Sequence, residues 1–137
     1  MLLATLTFAL VTAAAANDNG LAITPPQGWR SWNLYGRNVN QTLIESIMTG
    51  METKGPRPVP QIDGSAAKMM SLKDLGYDDV GLDDYWQACS ATGGHGDRKP
   101  APGMNYHDVE GKPIVNLQRF PDMKKMTAHA HGLGLTR

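Results

Sequence analysis

The segment Gly81-Leu82-Asp83-Asp84-Tyr85-Trp86-Gln87 ends a short apolar run in two adjacent carboxylates followed by aromatic side chains. Carboxylates accept hydrogen bonds from hydroxyl groups, and an indole can cover the apolar face of a pyranose ring. That combination is the chemistry of a sugar pocket. On residue type alone, Asp83-Asp84 is more often a solvated strand-to-loop turn, because Asp favours loops and caps. Trp29, Trp32 and Trp86 are likewise more often core than sugar platform, since aromatic side chains dominate cores, and core packing is the favoured role of Trp29 and Trp86.

Other reactive residue types are poorly arranged for chemistry. His129 and His131 lie two apart on an expected helix, so they face roughly 200° apart and cannot chelate one metal as an i, i+4 pair could. His95 and His107 fall in a long loop where solvent exposure is expected. Gly93-Gly94-His95-Gly96 lacks the lysine-serine continuation and helix start of a phosphate cradle. No metal, nucleotide, Ser-His-Asp or other cofactor signature is present in the sequence.

The elements that would position the Asp pair alternate in type. Gln27 to Asn33, after Thr24-Pro25-Pro26, is expected to be extended, because the residue before each proline is pushed toward β geometry and tryptophans suit a strand. Leu43, Ile44, Ile47, Met48 and Met51 recur at helical spacing. Thr42 to Glu45 has the form of a capping box for that helix, and Asn40 competes as its N-cap. Lys54 to Gly64 carries three prolines and two glycines, which stops a helix and predicts a surface excursion. Helical periodicity resumes at Ala66, Met69, Met70, Leu72 and Leu75, with Gly76 as the C-terminal cap. Asp79 to Asp83 is the second expected strand.

From Cys89 to Lys112 the sequence is loop-like, and loops of that length usually serve a site. Asp108 to Gly111 predicts a turn between two short extended pieces, the second at Ile114-Val115. Phe120-Pro121-Asp122 starts a further helix, with proline near its first position and an acid in its first turn. Met123, Met126 and Ala130 form its inner face, His131-Gly132 closes it, and Leu133-Gly134-Leu135 begins a third strand. Strand, helix, strand, helix and incipient strand is the start of a parallel βα array. Two and a half such units cannot close a barrel or complete a doubly wound sheet, so the chain is expected to behave as a fragment. The apolar faces of Val80, Leu82, Met126 and Leu135 are then expected to be exposed.

Composition narrows the partners. A 137-residue chain that is 41% hydrophobic and 19% charged has an ordinary globular composition of single-domain size. Its 13 basic and 13 acidic residues cancel, leaving no electrostatic footprint for nucleic acid or an anionic membrane. A neutral small-molecule partner fits better. Residues 1–16 (MLLATLTFALVTAAAA) are uncharged and apolar and offer an A-x-A cut at Ala14 and Ala16, which reads as a signal peptide. The run is shorter than the roughly twenty residues needed to span a bilayer. The triplet Asn40-Gln41-Thr42 agrees with a secretory route. The single cysteine, Cys89, would then be free, paired between chains, or separated from its partner in a longer chain.

Four blocks carry a family resemblance. Asn19-Gly20-Leu21-Ala22-Ile23-Thr24-Pro25-Pro26-Gln27-Gly28-Trp29-Arg30-Ser31-Trp32-Asn33 is the first. Leu75-Gly76-Tyr77 leading to Leu82-Asp83-Asp84-Tyr85-Trp86-Gln87 is the second. Arg119-Phe120-Pro121-Asp122-Met123-Lys124 and His131-Gly132-Leu133-Gly134-Leu135 complete the set. In order and spacing, apart from the proline-rich insertion, they resemble the N-terminal part of the α-galactosidases (melibiases) of glycoside hydrolase family 27, from about Asn19 to Leu135.

The resemblance implies an α/β fold in which residues 17–137 form the N-terminal βαβα portion of a (β/α)8 TIM barrel, incomplete in this chain. It implies retaining hydrolysis of terminal α-D-galactosyl residues, without a cofactor or metal, on galactose-containing oligosaccharides or glycoconjugates. A secreted, lysosomal or vacuolar location follows from the signal peptide. Trp32, at the end of the first strand, matches the family's aromatic wall against galactose, and Asp83 and Asp84 match the pair that binds the sugar hydroxyls. The family's nucleophile and acid/base follow later strands and lie outside these residues. Neighbours on a strand point to opposite faces, so Asp83 and Asp84 are badly placed as a catalytic pair, which retaining enzymes hold about 5–5.5 Å apart across the scissile bond.

The resemblance leaves two alternatives: an α-N-acetylgalactosaminidase, or a non-catalytic carbohydrate-binding or structural product. Two departures stand out. Many members bridge a cysteine just after the Asp pair to one near the end of the first strand segment, where this sequence has Tyr85 and, approximately, Arg37. The other departure is the proline-rich segment.

Overall fold

The computed structural model describes residues 23, 25–88 and 106–136. The expected signal peptide, Cys89, His95 and the Gly93–Gly96 run lie outside them.

Two parallel strands organise the chain. β1 (Gly28–Arg30) pairs in parallel with β4 (Asp79–Gly81), in the register Gly28 to Asp79, Trp29 to Val80 and Arg30 to Gly81. Gly28 is required at this approach, because a Cβ built there would lie 1.6 Å from the Asp79 carbonyl oxygen. On the other side of β4, Thr136 bridges Asp79 in parallel, with Val80 N–H donating to the Thr136 carbonyl at 3.1 Å. The third strand expected over Leu133-Gly134-Leu135 is thus only a single bridge at Thr136, just past that run, whose Leu133 and Gly134 form a turn after the helix.

Between the strands run α1 (Trp32–Tyr35), α2 (Gln41–Glu52), β2 (Pro58–Val59), β3 (Lys68–Met69) and a 3₁₀ turn at Lys73–Leu75, and α3 (Met123–Gly132) follows β4. α2 and α3 pack together over one face of the parallel pair. Ile44, Met48 and Met51 of α2 meet Val80, Phe120, Met126, Ala130 and Leu135 in the main core. The other face of the pair carries Arg30 and Asp79, joined by a bidentate ion pair at 3.0 and 3.1 Å. Gln41 ties the two helix starts together: its backbone N–H donates to the Arg119 carbonyl at 2.8 Å, and its Oε1 accepts the Asp122 N–H at 2.8 Å.

Several sequence expectations need correction. The extended segment expected from Gln27 to Asn33 ends at Arg30, and Trp32 opens a helical turn closed by the Gly36 N–H donating to the Trp32 carbonyl at 2.8 Å. The helix expected from Ala66 shrinks to the 3₁₀ turn. Ser71 and Asp74 cap each other's backbone N–H groups at 2.9 and 3.0 Å, and Gly76 ends the turn in the left-handed region at φ +88°, so only one turn fits between them. Residues upstream pair instead as β3 with β2, which turns the proline-rich excursion into a small antiparallel hairpin. Asp122, rather than an in-helix acid after proline, is the N-cap of α3, its side chain accepting the Lys125 N–H at 2.8 Å. Val80, Met126 and Leu135 are buried at 3%, 5% and 2% exposure, against the expectation that their faces stand open. α2 and α3 already cover them.

Candidate functional site

Parallel pairing puts the carboxyl ends of β1 and β4 side by side, and the three expected sugar-binding residues follow those ends. Ser31, directly after β1, is fully buried, and its Oγ accepts the Asp83 N–H at 2.9 Å. This bond pins the Asp pair against the turn that carries Trp32. The Trp32 indole remains 44% exposed and stacks on the Tyr85 ring, with centroids 5.9 Å apart and planes at 24°.

The pair itself is a tight bend beyond β4 rather than strand. Asp83 Oδ1 accepts the Asp84 N–H at 2.8 Å, and Asp84 Oδ1 accepts the Tyr85 N–H at 2.8 Å. Both residues are exposed. One oxygen of each carboxylate thus shapes the backbone, and the other makes no hydrogen bond among the described residues. Tyr85 sits at φ +71°, a left-handed conformation uncommon for a residue with a side chain. The Asp84 carboxylate and the Trp32 ring hold it there.

Trp29 and Trp86 are half-buried against the core, in line with the packing role favoured for them. His107 is exposed and bridges Pro113 across the turn expected at Asp108 to Gly111, where Gly111 N–H donates to the Asp108 carbonyl at 3.0 Å. His129 reaches Thr49 Oγ1 at 3.3 Å across the α2–α3 interface. Among the described residues no group of three His, Cys, Asp or Glu side chains could hold a metal ion. Also among them, no helix is long and apolar enough to cross a membrane.

Sequence reading missed Ser31 and Tyr85. The serine is an ordinary residue type, and only its place between the strand end and Trp32 hints at a role. Tyr85 carried a signal in following two Asp residues, since an Asx bend commonly turns the next residue out of the extended region.

Comparison with known proteins gives a consistent answer. The chain is 38% identical over 85 residues to a probable α-galactosidase of Dictyostelium discoideum, covering 62% of this chain and 17% of that protein. α-Galactosidase 3 of Arabidopsis thaliana is 29% identical over 119 residues, covering 86% of this chain and 20% of its own length. The crystal structure of α-galactosidase I from Mortierella vinacea superposes with a TM-score of 0.58 at 30% identity, over 87% of this chain and 22% of that one. The chain resembles a segment of the α-galactosidases in both sequence and fold. An α-galactosidase of Saccharomyces cerevisiae solved with raffinose shares the fold, with a TM-score of 0.58 at 24% identity over 85% of this chain and 19% of that one. No family model matches. The chain spans about a fifth of the length of the α-galactosidases it matches.

Proposed function

We propose that this chain forms the galactose-gripping part of an α-galactosidase, with Trp32 as the wall against the ring and Asp83 and Asp84 as acceptors for its hydroxyls. The observation that carries this reading is the Ser31–Asp83 bond, which brings the Asp bend and the Trp32 turn to one end of the parallel pair. Each carboxylate has a second oxygen for a hydroxyl, and a hydroxyl missing or inverted in a competing sugar leaves a carboxylate without its partner. The Trp32–Tyr85 stack joins the two segments where the resemblance implies a disulfide in many relatives.

In this reading the parallel pair is the opening of a (β/α)8 barrel, with the Arg30–Asp79 face turned inward and α2 and α3 outside. Hydrolysis would proceed with retention, using a nucleophile and an acid/base from later strands. Asp83 and Asp84 share a single bend, so they cannot flank a glycosidic bond from opposite sides. We read residues 1–16 as a signal peptide for secretion or delivery to a lysosome or vacuole. A secreted product beginning at Asn17 would support this, and one retaining Met1 would refute it.

The binding test is calorimetry of the 137-residue chain with D-galactose and D-glucose. Galactose should bind more tightly, and Asp83→Asn or Asp84→Asn should weaken it about tenfold to a hundredfold, the loss expected for hydrogen bonds to a charged group. Equal affinity for both sugars, or indifference to both substitutions, would overturn the assignment. A chromogenic α-galactoside should show no turnover by this chain, and measurable turnover would refute the placement of the catalytic pair elsewhere.

A further inference from the structure

Asn40-Gln41-Thr42 is the one place in the chain where an Asn is followed, two residues on and with no proline between, by Ser or Thr. That is the acceptor triplet for N-linked glycosylation, which belongs on the surface of a secreted protein. The structure puts it there. Asn40 and Thr42 are both exposed at the start of α2, while Val39 and Gln41 on either side of Asn40 are buried.

The two ends of the Asn40 amide are used differently. Oδ1 accepts the Leu43 N–H at 2.9 Å and caps the helix, whereas Nδ2 makes no hydrogen bond among the described residues. Nδ2 is the atom that carries the sugar in this modification. It has two hydrogens, so exchanging one for a glycosyl bond leaves the capping oxygen in place. The Thr42 hydroxyl, which the transferring enzyme must read, also makes no hydrogen bond among the described residues.

The order of synthesis leaves the triplet open to that enzyme. α2 packs its buried face on Val80, Phe120, Met126, Ala130 and Leu135, and the first of these follows Asn40 by forty residues. A helix of 12 residues has little stability without such packing. At about 5–20 residues per second, the triplet stays unfolded for on the order of seconds before its partners emerge. In the folded chain Gln41 is held between the two helix starts by Arg119 and Asp122, yet Asn40 and Thr42 stay exposed, so a glycan added early does not obstruct that packing.

We propose that Asn40 is an N-glycosylation site whose amide carries the glycan on Nδ2 and caps α2 with Oδ1. A bond forms from Nδ2 to the anomeric carbon of an oligosaccharide held on a polyprenyl diphosphate. The bond from that carbon to the diphosphate oxygen breaks, the lipid diphosphate leaves, and Nδ2 gives up one proton. The inference rests on the reading of residues 1–16 as a signal peptide. It is tested by expressing the 137-residue chain in a eukaryotic secretory host, beside residues 17–137 placed behind a foreign cleavable leader. Mass spectrometry of cells and medium should find one glycan, on Asn40, in both products, and peptide-N-glycosidase should remove it. Thr42→Ser should keep the glycan, while Thr42→Ala and Asn40→Asp, which leave a cap in place, should abolish it. A chain unmodified behind either leader would overturn the site. A glycan found only behind the foreign leader would overturn the signal-peptide reading and, with it, modification of the natural chain. Hydrogen exchange at Leu43 in the glycosylated chain should match that of the unglycosylated chain made in bacteria. Exchange about fivefold faster, the scale of a lost cap, would overturn the shared use of the amide.

Discussion

Ser31 and Asp83 are 52 residues apart in sequence, yet the buried Ser31 hydroxyl accepts the Asp83 N–H at 2.9 Å. The contact exists because parallel register ends both strands at the same level, with Arg30 opposite Gly81. Ser31→Ala would remove that acceptor from the N–H of an exposed residue, a loss of about 0.5–1.5 kcal/mol, the net value of a typical hydrogen bond. Urea denaturation should show a stability decrease in that range, and calorimetry should show weaker galactose binding as the Asp bend loosens. Ser31→Thr keeps the hydroxyl and should recover part of both.

Gly28 makes a sharper prediction. A Cβ at this position would lie 1.6 Å from the Asp79 carbonyl oxygen, which is backbone and cannot swing away. Gly28→Ala must push β1 off β4, and overpacking of this severity costs about 3 kcal/mol or more. Circular dichroism and denaturation should show loss of the cooperative transition or precipitation. The equivalent change at Gly50, exposed on α2 with nothing within 4 Å of where its added methyl would sit, should be stabilising by about 0.5–1 kcal/mol through helix propensity.

These contrasts show what could be read from the residues alone. The apolar spacing of Ile44, Met48 and Met51 located α2, and the Asp108 to Gly111 composition located a turn, because both signals are local. The helix expected from Ala66 failed for a physical reason: Met69 and Leu72 are exposed at 42% and 50%, so the periodic face has no partner to pack against. Helices draw most of their stability from such packing, and without it the strong Ser71–Asp74 cap and Gly76 stop decided the geometry. Trp32, Asp83 and Asp84 were legible as chemistry. Their convergence depended on strand register and on a buried serine, which pairwise spacing in sequence does not encode.

The Ser71–Asp74 cap should be visible as an acid dependence. Hydrogen bonding from the Ser71 backbone N–H, and next from its side chain, holds the Asp74 carboxyl below its ordinary value of 3.8. A carboxyl depressed in the folded state favours folding while it is ionised, so its contribution is fully present above 3.8 and is lost as pH falls through the lowered folded value. Asp63, held low chiefly by the Ser65 backbone N–H, adds a second contribution of the same sign. Denaturation midpoints should therefore fall with acidification below 3.8. Asp74→Asn should flatten that slope, and an unchanged slope would show that the cap does not form in solution.

The competition between two caps for α2 gives a direct comparison. Thr42 to Glu45 offered a capping box, but Asn40 takes the N-cap position in extended geometry, and its Oδ1 accepts the Leu43 N–H at 2.9 Å. Thr42 is exposed inside the first turn, and Glu45 instead accepts a hydrogen bond from Gln41 Nε2 at 2.8 Å. Asn40→Ala should cost about 1 kcal/mol, the usual value of a lost cap. Thr42→Ala should stay within about 0.5 kcal/mol of the parent, as an exposed helix substitution away from a cap. Because Gln41 also anchors α3 through Asp122, fraying at Asn40 should spread to both helix starts, so hydrogen exchange at Leu43 and at Lys125 should quicken together in Asn40→Ala. Faster exchange at Leu43 alone would show that the two helix starts open independently.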